Sequence, residues 1–205
     1  MSTLRLFISA GPDMETEREV IAQAIARLPD ALSWEIKRTP LPGQPIEPAL
    51  KMIAACNLYI ILMGKDITAP VGVEWDFAQR VHCPTLAYLK DVPRTPAARV
   101  FLSLARANWV RFETPTDLES QIQIALTEYI LDHAVSLKLD PAAWESLNAL
   151  LKELREAQIE SESEKETAGE PELGGAGGGG VILAPGGDIP PGGRLLDARR
   201  STSGE

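Results

Sequence analysis

Short apolar runs exchange regularly with longer segments of helical spacing, and this alternation limits what the chain can fold into. The run Asn57 to Gly64, NLYIILMG, is apolar through its middle and reads as a central strand covered on both faces. Leu4 to Ala10, LRLFISA, is another buried strand, closed by Gly11-Pro12. ALSWEIKR, PTLAYLK and ANWVRFE supply three more. Between them lie helical patterns. Val20, Ile21, Ala24, Ile25 and Leu28 follow Asp13, a candidate cap, with Glu15 and Glu17 in the first turn. IEPALKMIAAC, TPAARVFLSLAR and TDLESQIQIALTEYILDHAVSL read as further helices. Strands separated by helices need crossover connections, so they line up as a parallel sheet with helices on both faces. The expected class is therefore α/β, a flavodoxin-like, doubly wound, five-stranded parallel sheet occupying residues 1–138.

Beyond that domain, Asp140-Pro141 reads as a cap and first helical position. Trp144, Leu147, Leu150, Leu151 and Leu154 then form a stripe along an amphipathic helix over residues 139–160. This helix is expected to pack on the domain, on a second copy or on a protein partner. Composition shifts sharply afterwards: 12 of the 16 glycines follow Ala168. Residues 161–180 read as an acidic, glycine-rich linker and 181–205 as a Pro/Gly-rich disordered tail, or a strand added to a sheet edge.

The net charge of -9 argues against a nucleic-acid binder, which needs a basic stripe. Cys56, Cys83, His82 and His133 have no metal-ligand spacing, and no P-loop or kinase signature supports phosphate transfer. The amino terminus has too short an apolar run for a signal peptide, and no run is long enough to span a membrane. The expectation is a soluble, cytoplasmic protein in a reducing compartment, with no metal and no resident cofactor.

In a sheet of order 2-1-3-4-5, ligands bind where the order reverses, beyond the carboxyl ends of the first and third strands. Those exits carry Ser9, Gly11 and Asp13, and Gly64, Lys65 and Asp66. The glycines permit close backbone approach, and Lys65 suits a phosphate. The same residues also make ordinary turns. Nearby, APVGVEWDFAQR predicts a helix opening near Val73, with Val73, Phe77 and Val81 facing the sheet. Glu74 then sits in the first turn, beside the core face, while Asp76 and Arg80 pair on the solvent side. Glu74 has two readings here: an acid favoured by the helix dipole, or a carboxylate facing substrate. A carboxylate at this rim suits cleavage of an N-glycosidic bond, stabilising positive charge on the sugar or attacking its carbon, with Asp66 holding a ribose hydroxyl. Arg18 reads either as a surface ion-pair partner or as a pocket residue, and Trp75, Trp109 and Trp144 as packing residues.

The segments LFISAGPDMETEREVI, PIEPALKMIAACNLYIILMG, GVEWDFAQ and CPTLAYLKD resemble the domain of unknown function 4062 family over roughly residues 3–135. Phe7, Ile8, Ser9, Asp13, Glu17, Arg18, Cys56, Gly64 and Glu74 match its pattern; Ala10-Gly11, Asn57 and GKDIT depart from it. The resemblance implies a TIR-like fold, distantly similar to nucleoside 2-deoxyribosyltransferases. In the related TIR enzymes and deoxyribosyltransferases a glutamate placed like Glu74 is catalytic, acting on NAD or nucleosides. NAD is thereby a possible substrate, and a nucleotide-derived small molecule the expected ligand of a signalling or defence-type sensor. The alternative is a non-catalytic assembly domain working through residues 140–160.

Overall fold

The computed structural model describes residues 3–29, 32–41 and 43–168. Five strands form one parallel sheet: β1 Thr3–Ala10, β2 Ser33–Arg38, β3 Leu58–Met63, β4 Thr85–Lys90 and β5 Trp109–Phe112, in the order β2-β1-β3-β4-β5. The connecting helices are α1 Glu15–Ala26, α2 Glu47–Ala55, α3 Ala69–Arg80, α4 Pro96–Leu104 and α5 Pro115–Asp132, and α6 Pro141–Ala168 follows. The α/β, flavodoxin-like class and the strand order agree with the pattern in the sequence.

Side-chain alternation in the strands divides the core in two. Leu4, Leu6, Ile8 and Ala10 of β1 join Leu58, Ile60 and Leu62 of β3 on the face covered by α1 and α5. Phe7, Tyr59 and Ile61 lie on the opposite face with Ile53 of α2 and Val71, Trp75 and Ala78 of α3. Every residue of β3 is buried, as its unbroken apolar run requires. Trp75 stacks on Trp109 at 6.0 Å and meets Phe101 edge-on, so these aromatics are core packing. Trp144 differs, being half-exposed.

Several boundaries move. Asp13 is not the cap of α1: it lies in a short 3-10 turn, Pro12–Met14, and Met14 occupies the cap position. Helix α3 opens at Ala69, with proline in its first turn, rather than near Val73. Pro70 is suited to that position because it has no N–H to lose. The buried stripe of α3 is Val71, Glu74, Trp75 and Ala78, while Val73 and Val81 are exposed. The large Trp75 side chain decides which stripe is buried. Helix α6 runs through Ala168, so residues 161–168 are helical instead of linker; three of these eight residues are Glu, a good helix former, and none is glycine. Asp140 caps α6 by accepting from the Ala143 amide at 2.8 Å. Leu147 is fully buried, so part of the leucine stripe packs within the domain. The remainder of the expected linker and the 181–205 tail lie outside the described residues.

Candidate functional site

Ser9, next to last in β1, points to the α3 face because its neighbours Ile8 and Ala10 point to the other. Glu74 lies one helical turn into α3, on its core-facing stripe, and has no solvent exposure. No acid stands in the first turn of α3, which removes the helix-dipole explanation for Glu74. The Ser9 hydroxyl donates to Glu74 Oε2 at 2.5 Å. The Thr39 hydroxyl donates to the same oxygen at 2.8 Å. Thr39 follows β2 directly and is held by two bonds to β1. Its hydroxyl accepts from the Ala10 amide at 3.1 Å, and its own amide donates to the Ile8 carbonyl at 3.2 Å.

One carboxylate oxygen is thus clamped by two hydroxyls, and the other, Oε1, is buried without a protein partner. Two further buried polar atoms without partners come from residues beside it, the Tyr59 hydroxyl and Arg18 Nε. Arg18 is buried, donates to the Ala10 carbonyl and pairs with Glu15 at 2.5 Å. The ion pair expected of Arg18 is therefore present, but on a buried side chain rather than on the helix surface. Burial pushes the Glu74 carboxyl above its ordinary value of 4.5; the Ser9 and Thr39 hydroxyls and the Arg18 charge pull the other way. Tyr59 is also held up, first by burial and then by the Glu74 charge. An unpaired buried polar atom costs about 1–3 kcal/mol, so Glu74 Oε1 without a protein partner is an unmet demand for a hydrogen bond.

The other sequence candidates form two separate groups. Asp13 Oδ2 accepts from the Lys65 amide at 2.8 Å, tying the exit of β1 to that of β3. A Cβ on Gly11 would sit 2.6 Å from Asp13 Oδ1, and one on Gly64 2.5 Å from Asp13 Oδ2 and from Met14 Sδ. The close approach that these glycines permit is to the Asp13 carboxylate itself. Asp13, Gly64 and Lys65 border a depression of about 390 Å³ with Lys90. Asp66 is third: it accepts from the Thr95 hydroxyl at 2.5 Å and from the Ile67 amide at 2.9 Å. These bonds, the Thr95 hydroxyl first, hold its carboxyl below the ordinary value. Thr95 in turn caps α4 through the Ala98 amide. None of these bonds reaches Ser9 or Glu74, so Asp66 and Glu74 do not form a bonded carboxylate pair.

The sequence pattern did not single out Thr39 or Tyr59. Thr39 looks like the first residue of a Pro-rich loop, and only the β1–β2 register brings it to Glu74. Tyr59 sits inside an apolar strand whose other face is equally buried.

No family model matches the chain, and no curated protein matches it. Among solved structures the chain is similar to the CMP N-glycosidase BcmB of Clostridium botulinum, at 16% identity and a TM-score of 0.44, over 59% of this chain and 98% of that one.

Proposed function

We propose that the protein binds a nucleotide-derived ligand at the carboxyl ends of β1 and β3 and hydrolyses its N-glycosidic bond, in NAD or a nucleoside, with Glu74. The observation that carries this reading is the asymmetry of the Glu74 carboxylate: Oε2 is fixed by Ser9 and Thr39, and Oε1 has no protein partner. In the reaction the C1′–N bond breaks and its electron pair leaves with the base. Oε1 faces the positive charge that develops at C1′ or attacks that carbon. Water completes the sugar hydroxyl and releases one proton. The two hydroxyls restrict the carboxylate to one orientation, so it needs little rearrangement as charge appears. Arg18 favours the ionised form that this role needs, against the burial that opposes it. Since Glu74 has no solvent exposure, substrate entry requires the side chains that cover Oε1 to move aside while Ser9 and Thr39 keep Oε2. Lys65 would meet a phosphate at the rim.

The resemblance to the domain of unknown function 4062 family supports placing this chemistry in a TIR-like signalling or defence-type sensor in the cytoplasm. Among the described residues, no helix is long and apolar enough to cross a membrane. Incubating the protein with NAD and with nucleosides, beside a Glu74→Gln variant, tests the proposal. Base release by the parent chain and its loss in the variant is the expected result; equal rates, or none in either, refutes it.

A second reading is favoured by the closure of Glu74 and the half-exposed Trp144 on α6: a non-catalytic domain that assembles with a second copy or a protein partner. Light scattering of the parent chain and Trp144→Glu separates the two. A parent oligomer that the substitution dissociates supports assembly, and an unchanged monomer opposes it.

A further inference from the structure

The chain holds two cysteines, and the fold brings them together from 27 residues apart. Their sulfurs are 3.0 Å apart, and both side chains are partly exposed. Each ends a helix. Cys56 is the residue after α2, its amide and thiol both donating to the Ile53 carbonyl, at 3.3 and 3.2 Å. Cys83 closes α3. His82 takes left-handed backbone at φ 55 and donates to Gln79 at 3.2 Å, and the Cys83 amide reaches back to Ala78 at 3.0 Å. This double closure is how a helix ends when its next residue is left-handed, and it fixes where Cys83 points. The Thr85 hydroxyl anchors the Cys83 carbonyl at 2.8 Å. The two thiols therefore face each other at the amino ends of β3 and β4, at the opposite end of these strands from the loop of Lys65 and Asp66.

We infer that Cys56 and Cys83 form a thiol–disulfide exchange site that takes low-molecular-weight disulfides such as oxidised glutathione. The sulfurs need to close by about 1 Å to reach bonding distance, a side-chain movement rather than a refolding. Metal binding fits less well: among the described residues no group of three or more His, Cys, Asp or Glu gathers here, and two thiols alone make an incomplete zinc set. The Cys56 thiol donates to the Ile53 carbonyl, which holds its proton in place, and contact with Cys83 and burial raise its pKa, while the same sulfur contact lowers that of Cys83. Cys83 is thereby the attacking sulfur and Cys56 the resolving one. The Cys83 thiolate attacks one sulfur of the small disulfide, whose S–S bond breaks and releases one small thiolate. The Cys56 sulfur then attacks Cys83, expelling the second small thiolate. The two cysteine protons go to those leaving thiolates. Two cysteine thiols are oxidised and one small disulfide is reduced to two thiols.

The test uses the full chain equilibrated with mixtures of oxidised and reduced glutathione. Free thiols, intact mass and the melting temperature are followed. The expected result is a monomer that loses both thiols together and the mass of two hydrogen atoms. Its melting temperature should rise by about 5–10 °C, since the bridge constrains the unfolded chain. Cys56→Ser should instead trap one glutathione on Cys83, and Cys83→Ser should trap little on Cys56. Two free thiols persisting in oxidised glutathione, or disulfide-linked dimers, would overturn the inference. Equal trapping in the two variants would overturn the assignment of Cys83 as the attacking sulfur. None of these readouts depends on Glu74 or on turnover.

Discussion

The Ser9 hydroxyl meets the Glu74 carboxylate at 2.5 Å across the gap between β1 and α3, where neither group touches solvent. This bond joins the first strand of the sheet to the helix that follows the third, so it spans the point where strand order reverses. A buried carboxylate in that position is expensive, and its neighbours offset the cost only in part.

Stability should therefore depend on pH through Glu74. Its carboxyl is raised above 4.5 in the folded protein, so between 4.5 and the raised value the folded state holds a proton that the unfolded chain has released. Its contribution is fully present below 4.5 and is lost as pH rises through the folded value. Glu74→Gln has no such proton to lose. Urea unfolding from pH 4.5 to 8 should show the parent losing stability relative to the variant as pH increases. Parallel curves would contradict the raised value.

Gly64→Ala should destabilise the fold by about 2 kcal/mol, because the added Cβ meets Asp13 and the fully buried Met14. Gly11→Ala meets only the Asp13 carboxylate at short range. In double-mutant cycles, Asp13→Ala should relieve most of the Gly11→Ala penalty and little of the Gly64→Ala penalty. Equal relief at both positions would show that Met14 yields readily.

Lys90, at the end of β4, reaches Glu17 of α1 at 2.6 Å, and Glu17 is almost wholly buried. Lys90→Met should cost about 3 kcal/mol by leaving that carboxylate unpaired. Lys90→Met with Glu17→Leu should recover most of the loss, since an apolar pair has no charge to desolvate. Chemical denaturation measures both. An additive double variant would mean that the two side chains do not depend on each other.

Which features could be read in advance follows from the range of the interaction that makes them. The burial of β3 is written in an apolar run, the Asp76–Arg80 pair in a four-residue spacing, and the α6 cap in Asp140-Pro141. All three are local. On α3 two stripes competed, Val73–Phe77–Val81 and Val71–Trp75–Ala78, and each carries three apolar side chains. Contact with Phe101 and Trp109, both distant in sequence, settles the choice and turns Glu74 fully inward. Pro70 was the available signal for an earlier helix start. Thr39, Tyr59 and the Cys56–Cys83 pair depend on parallel pairing between strands far apart in the chain, and carry no short-range signature. Asp66 looked like a partner for Glu74 because both are acids near one rim, but the hydroxyl of Thr95, the residue that caps α4, engages it instead.

The proposed chemistry has the unpartnered oxygen of Glu74 acting on a sugar carbon. Its most direct test is base release from NAD and nucleosides under single-turnover conditions, comparing the parent chain with a folded Glu74→Gln variant. A rate at least about 100-fold lower in the variant, with ligand still bound, is the predicted result. Equal rates in the two proteins, or no release by the parent chain, would contradict it.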